Sequence, residues 1–325
     1  MVNKLYAIGV NTFIETVRQP IYGILTWVAV GLLLLNPGLS TFSLEGGADN
    51  KIMKDIGLST MMLFGLFAAV FSASGVITRE IESFTVLTVI SKPVSRPTFL
   101  IGKFLGVVGA VAVAYYLLSL VFLMTCRHGV METTADKYDQ PVLVFGCLAL
   151  GLSVLIAGFG NFVYGWHFAS TLMAAVIPLG TLAFGLVLFF DKTWAPQTWW
   201  VKDFGDMQVI YAIVLTFVSI AILTAFAVTF STRFSVTMTL MFCAAIFMLG
   251  LLSDYYFGRN AEQLALFRVL YAAVPNFQFF WIGDYITQEV TVSLSHVMNV
   301  LAYGALYTLA VLGLGITMFQ TREVG

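Results

Sequence analysis

Long apolar runs separated by short polar breaks dominate this chain. Ile21–Leu39, Gly57–Thr78, Phe104–Thr125, Pro141–Phe190, Met207–Phe230, Phe234–Ser253 and Thr291–Thr321 contain no Asp, Glu, Lys or Arg. A hydrocarbon core about 30 Å thick needs roughly 20 residues of apolar helix, so each run is a candidate membrane crossing. The run from Pro141 to Phe190 is too long for one crossing. Its polar, glycine-containing stretch Asn161–His167 is the natural place for it to turn. The pattern therefore predicts an all-α integral membrane protein with eight spans, near 21–39, 57–78, 100–125, 141–162, 167–190, 207–230, 235–253 and 293–319. The first is short and interrupted by Asn36 and Pro37.

Two segments read as amphipathic instead of spanning. In residues 1–20, Tyr6, Val10, Phe13, Ile14 and Val17 recur at helical spacing, while Lys4, Asn11, Glu15 and Arg18 fall opposite. An interfacial elbow helix leading into the first span at Pro20 is expected there. In 255–292, Leu264, Phe267, Leu270, Tyr271 and Val274 share a face, and Phe277, Phe279, Phe280, Trp281 and Tyr285 follow. That density of aromatic side chains suits a membrane–water boundary or a re-entrant hairpin. Residues 21–325 thus form a single polytopic domain.

An even number of spans puts both termini on one side. Counting Lys and Arg gives eight on each side, so the positive-inside rule alone is a tie. The segments on the terminal side are shorter and hold four acids against thirteen opposite, which places both termini in the cytoplasm. The expected location is the inner (cytoplasmic) cell membrane.

Composition sharpens this picture. The chain is 59% hydrophobic and 10% charged, too few charges to solvate a compact soluble surface. Its net charge of −1 argues against a nucleic-acid partner. Cys126, Cys147 and Cys243 are isolated, and His128, His167 and His296 lie far apart, so neither a metal nor a cofactor is expected. No GxxxxGK[ST] phosphate loop occurs. The spans lack the intramembrane charges that ion-coupled carriers use, which disfavours that class and any membrane enzyme built on buried acids and bases.

One loop carries candidate chemistry. Residues 79–103 begin with Arg79, Glu80 and Glu82, continue through an apolar stretch, and reach Ser91-Lys92-Pro93-Val94-Ser95-Arg96-Pro97-Thr98-Phe99. Pro93 suits the start of a helix, and Pro97 disfavours helix at Arg96. A short, stiff, basic element between two longer helices could transmit force from a soluble partner, or simply sit on anionic headgroups. Gly102 and Gly106 form a GxxxG that permits close helix packing.

These residues resemble the ABC-2 permease family, the membrane subunits of type V ABC exporters. The matching positions are Glu80, Glu82, Leu87, Ser91 to Arg96, Phe99, Gly102-Lys103-Phe104 and Gly106. The closing stretch, Pro275-Asn276-Phe277 to Asp284 and Phe319 to Gly325, is also similar to the family's. Two departures stand out. Phe84 falls where many relatives carry Gly, and the family core has six spans, two fewer than expected here.

The resemblance implies a permease subunit, not an enzyme, of an ATP-driven exporter. Two copies, or one copy and a paralogue, would pair with two separate ATPase subunits in the membrane lipid. Ser91–Phe99 would be the cytoplasmic coupling helix. Lys92 and Arg96 would supply charge complementarity, Pro93 stiffness, and Val94 and Phe99 apolar contact. Glu80 and Glu82 would pair with Arg79 or with the ATPase. The competing reading is a non-transporting anchor or scaffold subunit of a larger complex.

Overall fold

A computed structural model describes residues 2–40, 49–82, 95–131, 136–197, 207–260, 264–288 and 290–320. Among them every regular element is helical: α1 (Val2–Val17), α2 (Pro20–Leu39), α3 (Asp49–Glu82), α4 (Arg96–His128), α5 (Gln140–Tyr164), α6 (Phe168–Val187), α7 (Gln208–Ser231), α8 (Val236–Leu251), α9 (Ala265–Ala273), α10 (Gly283–Thr287) and α11 (Leu294–Gln320). Seven of these, α2 to α7 and α11, are long and apolar enough to cross a membrane. The protein is therefore a multi-pass helical membrane protein. The turn expected in the long run falls at Gly165, whose φ of +67° caps α5 in the left-handed region that glycine tolerates.

Helices α3, α4 and α7 are the most deeply buried spans, and their side chains make up most of the core. Helices α5 and α6 pack chiefly on each other, and α6 joins the bundle through α4. This hairpin thus lies at the edge of the bundle.

The seventh expected crossing, 235–253, differs from a continuous span. Helix α8 has only 16 residues, about 24 Å at 1.5 Å per residue. At its end Gly250 meets the chain again: a Cβ there would lie 2.5 Å from the Pro275 carbonyl oxygen and against Phe277. From there Phe277–Phe280 and α10 continue to the N-terminal end of α3, where Gly283 approaches Asp55. The end of α8 and residues 277–287 meet at this point, joined by a stretch of chain that leaves the contact after α8 and returns to it at Pro275. It includes a π-helical turn (Asp254–Gly258) and α9, on which Leu266 and Val269 are exposed.

The break is tied to the middle of α11. The Tyr307 hydroxyl donates to the Ala273 carbonyl (2.6 Å), and the Asn276 N–H donates to the Tyr303 hydroxyl (3.0 Å). Tyr303 and Tyr307 lie about 14 and 20 Å along α11 from Leu294. Irregular backbone is tolerated at that depth only inside protein. Accordingly, Asn276, Phe277 and Phe280 are buried. Helix α9 and residues 277–286 form an apolar pair bent by 43°, the geometry of a broken span or a re-entrant loop.

Both described chain ends lie at one end of the bundle. Helix α1 packs on the N-terminal part of α4, and the last turn of α11 meets Arg96 at the start of α4. The far ends of α7 and α11 also meet, where the Gln208 side chain accepts from Val292 N–H at 2.9 Å.

Helix α1 has three faces. Leu5, Ile8, Gly9, Thr12 and Thr16 turn toward α4, whereas Tyr6, Val10 and Ile14 are exposed apolar positions and Lys4, Asn11 and Arg18 exposed polar ones. Close approach requires the two glycines. A Cβ at Gly106 would lie 2.5 Å from Thr12 Cβ and 2.6 Å from the Gly9 carbonyl oxygen; at Gly102 it would lie 2.7 Å from Ile8 Cγ2. The Gly9 carbonyl is backbone and cannot rotate away. Gly106→Leu is expected to destabilise by about 1–3 kcal/mol. Raised hydrogen exchange across α1, with α7 unchanged, is the expected measurement.

Candidate coupling site at the terminal end of the bundle

The segment Ser91 to Val94, with Leu87 and the Glu82 side chain, lies outside the described residues. Beyond that segment the chain forms no separate short helix: Arg96 to Phe99 are the first turn of the 33-residue α4. The helix starts one residue earlier than Pro97 alone suggests. Ser95 is extended (φ −70°, ψ 145°), and its hydroxyl caps the Thr98 N–H at 3.4 Å. Pro97 has no N–H to leave unpaired in this turn, which is why the helix tolerates it.

An arginine at a helix N-terminus opposes the local dipole and needs compensation. Arg96 finds it at the opposite pole of another helix. Its guanidinium donates to the carbonyls of Phe319 (3.0 Å) and Gln320 (2.5 Å), groups that a helix C-terminus leaves unpaired. It also lies 5.8 Å from the centre of the Phe319 ring. Arg233, in the turn between α7 and α8, donates to the next carbonyl back, Met318, at 2.6 and 3.2 Å. Two arginines from distant parts of the chain thus clamp the end of α11.

Phe99 is buried and stacks on Phe319 with centroids 5.7 Å apart. The resemblance implies apolar contact with a partner at this position; within the chain the bulk of Phe99 seats α4 against α11. Arg96 is likewise engaged within the chain.

Lys103, one turn further along α4, is 2% exposed, and its ammonium lies 2.6 Å from a Glu80 carboxylate oxygen. Glu80 is 22% exposed, at the end of α3. The ammonium also sits 5.5 Å from the Phe99 ring centre, a cation–π approach. This pair closes the base of the 79–103 loop. Of the two partners expected for Glu80, Arg79 or an ATPase, neither anticipates Lys103. A lysine within a GxxxG that packs on another helix was the available signal, because such a cation requires a carboxylate nearby. A bond between the Ser74 and Ser231 hydroxyls (2.9 Å) joins α3 to α7 just above it.

The described part of the loop and the start of α4 are thus fastened at three points: to α3 by Glu80–Lys103, to α11 by Arg96 and Phe99, and to α1 by Gly102 and Gly106. No family model matches the sequence, and no curated protein matches it either. Among the described residues no cluster of three or more His, Cys, Asp or Glu could hold a metal.

A second buried ion pair, which the sequence did not lead us to expect, lies at the far end. Arg127 and Asp139 are 2% and 0% exposed and bonded at 3.0 Å. The same guanidinium donates to the carbonyls of Val187 and Phe190, and the Asp139 carboxylate caps the Val142 N–H at 3.1 Å. One arginine therefore joins the end of α4, the start of α5 and the end of α6.

Proposed function

We propose that this chain is the membrane-spanning permease subunit of an ATP-driven exporter, energised by separate ATPase subunits that dock on the 79–103 loop in the cytoplasm. The supporting observation is the three-point fastening of that loop and the start of α4. A push on residues 91–95 reaches α4 directly through its N-cap, α3 through the Glu80–Lys103 pair, and α11 through Arg96. Rigid helices joined by buried pairs and stacked rings lose little motion to slack, so a displacement at the loop becomes a tilt of the central spans. Lys92 is the residue left to complement an acidic surface on the partner, since Arg96 is spent on α11. Two copies, or this chain and a paralogue, would enclose the transport path.

The test is purification from native membranes in mild detergent. An ATPase should come with the protein, and Lys92→Glu should reduce that association at least tenfold while Arg96→Gln leaves it within about twofold. Purification with other proteins and no ATPase would overturn the reading in favour of an anchoring subunit. Unaltered ATPase binding by Lys92→Glu would remove the loop from the interface.

A further inference from the structure

At the far end of the bundle the docked α5–α6 hairpin leaves a cleft of about 310 Å³ against α2 and α4. Its walls are almost wholly apolar, among them Trp27, Leu34, Met124, Cys147, Leu150 and Val176. Most of the lining residues lie in the halves of their helices nearest the far end, which suits the depth of one leaflet. His128 lines it at the top. The same histidine also lines a second, polar hollow of about 470 Å³, with Asn50, Asp136, Lys137 and Lys192. In this hollow Asn50 Oδ1 accepts from Val130 N–H (2.9 Å), and Lys192 donates to the His128 carbonyl (3.0 Å). Lys137 and Lys192 are exposed, and Asp136 is the opposing charge.

An apolar slot at hydrocarbon depth, meeting a lysine-bearing hollow at the water boundary through one shared residue, has the layout of an amphiphile. We infer that the structure holds a membrane lipid with an anionic headgroup here, acyl chain in the cleft and phosphate near Lys137 and Lys192. The lipid would belong to the leaflet opposite the termini. A zwitterionic lipid fits the slot equally well but gains less from the two lysines. Each cation near a headgroup is worth roughly a fivefold preference, and Asp136 offsets part of it. The arginine at the cleft's far end, Arg127, is committed to Asp139 and to two carbonyls and leaves the headgroup to the lysines. The site does not depend on the transport reading.

The test uses the whole protein in phosphatidylcholine nanodiscs carrying trace photoactivatable phosphatidylglycerol or phosphatidylcholine, with the reactive group in the acyl chain. Peptide mapping should find adducts at Met124, Cys147 and Leu150, with phosphatidylglycerol favoured about fivefold. Lys137→Glu with Lys192→Glu should erase that preference, and Asp136→Asn should raise it. A Cβ at Gly146 meets no heavy atom within 4 Å, so Gly146→Phe can grow into the slot and should abolish the adducts. Alkylation of Cys147, the one exposed cysteine, offers a second reading in the unmutated protein. Added phosphatidylglycerol should slow it relative to added phosphatidylcholine. Equal labelling by both lipids, or a preference that survives charge reversal, would reduce the site to ordinary bilayer contact. Absence of adducts and of any Cys147 protection would mean that protein covers the cleft.

Discussion

Asp139→Ala is expected to lower stability by about 3–5 kcal/mol, the range for leaving one partner of a buried ion pair uncompensated. The loss has three parts that act in one direction. The Arg127 guanidinium stays buried without its counter-charge, the Val142 N–H loses its cap, and the hairpin of α5 and α6 loses the tie that fixes its start to α4. Arg127→Ala should cost a similar amount by stranding Asp139 and the carbonyls of Val187 and Phe190. Asp139→Asn keeps the cap and the size and should cost less than half as much. Thermal unfolding in detergent checks the order, Asp139→Ala below Asp139→Asn below wild type. Equal midpoints for the three proteins would show that the pair carries no stability. Because the hairpin meets the bundle mainly through α4 and α6, protease cleavage at 165–167 should also quicken in the alanine variant.

The second large effect is expected at Glu80 and Lys103. Lys103→Met removes a buried cation and strands a carboxylate that is mostly shielded from water, which should cost about 3–5 kcal/mol. Glu80→Gln should cost slightly less, since the glutamine carbonyl can still accept from Lys103 and the ammonium keeps the Phe99 ring. Replacing both, Glu80→Gln with Lys103→Met, should recover most of the stability, because a buried pair exchanged for neutral groups of similar volume is often near neutral. The double variant separates structure from mechanism. If the pair only holds the fold, activity returns along with the unfolding midpoint. If it carries force from the loop into α3, as the proposed permease role requires, a partner's ATP hydrolysis and cargo movement would become uncoupled in a protein that melts normally. A double-mutant cycle measures the coupling directly, and additive effects would mean that the two side chains do not interact.

How much of this could be read in advance differs sharply from one element to another. Helices α2 to α7 and α11 follow from run length alone, because an apolar run must be helical in lipid and its length counts crossings. The interruption of crossing seven was hidden for the same reason. Residues 234–253 are as apolar as any other span, and only the contact of Gly250 with Pro275, far along the chain, shows where the helix ends and where the chain resumes. The GxxxG of Gly102 and Gly106 was visible as a packing surface, but not that α1 fills it. The α1 pattern predicted two faces and the structure has three, since Thr12 and Thr16 are polar by composition yet face protein. Arg127 and Asp139 looked like solvent-facing loop residues because their burial is created by three helix ends converging. Arg96 was legible as a functional-type residue by motif. Its engagement with Phe319 and Gln320 was not, since neither carbonyl has a side-chain signature.

That last contact spans 223 residues of sequence, which gives it a meaning in time as well as in space. During synthesis the start of α4 leaves the ribosome long before the end of α11 exists. Arg96 and Phe99 must wait, with their helix already inserted, until the final helix arrives to receive them. A chain interrupted before Met318 could therefore place most of its helices yet lack the seat for Arg96 and the ring beneath Phe99. The clamp can close only once the end of α11 has been made, so the seat of Arg96 and Phe99 is completed after the earlier helices.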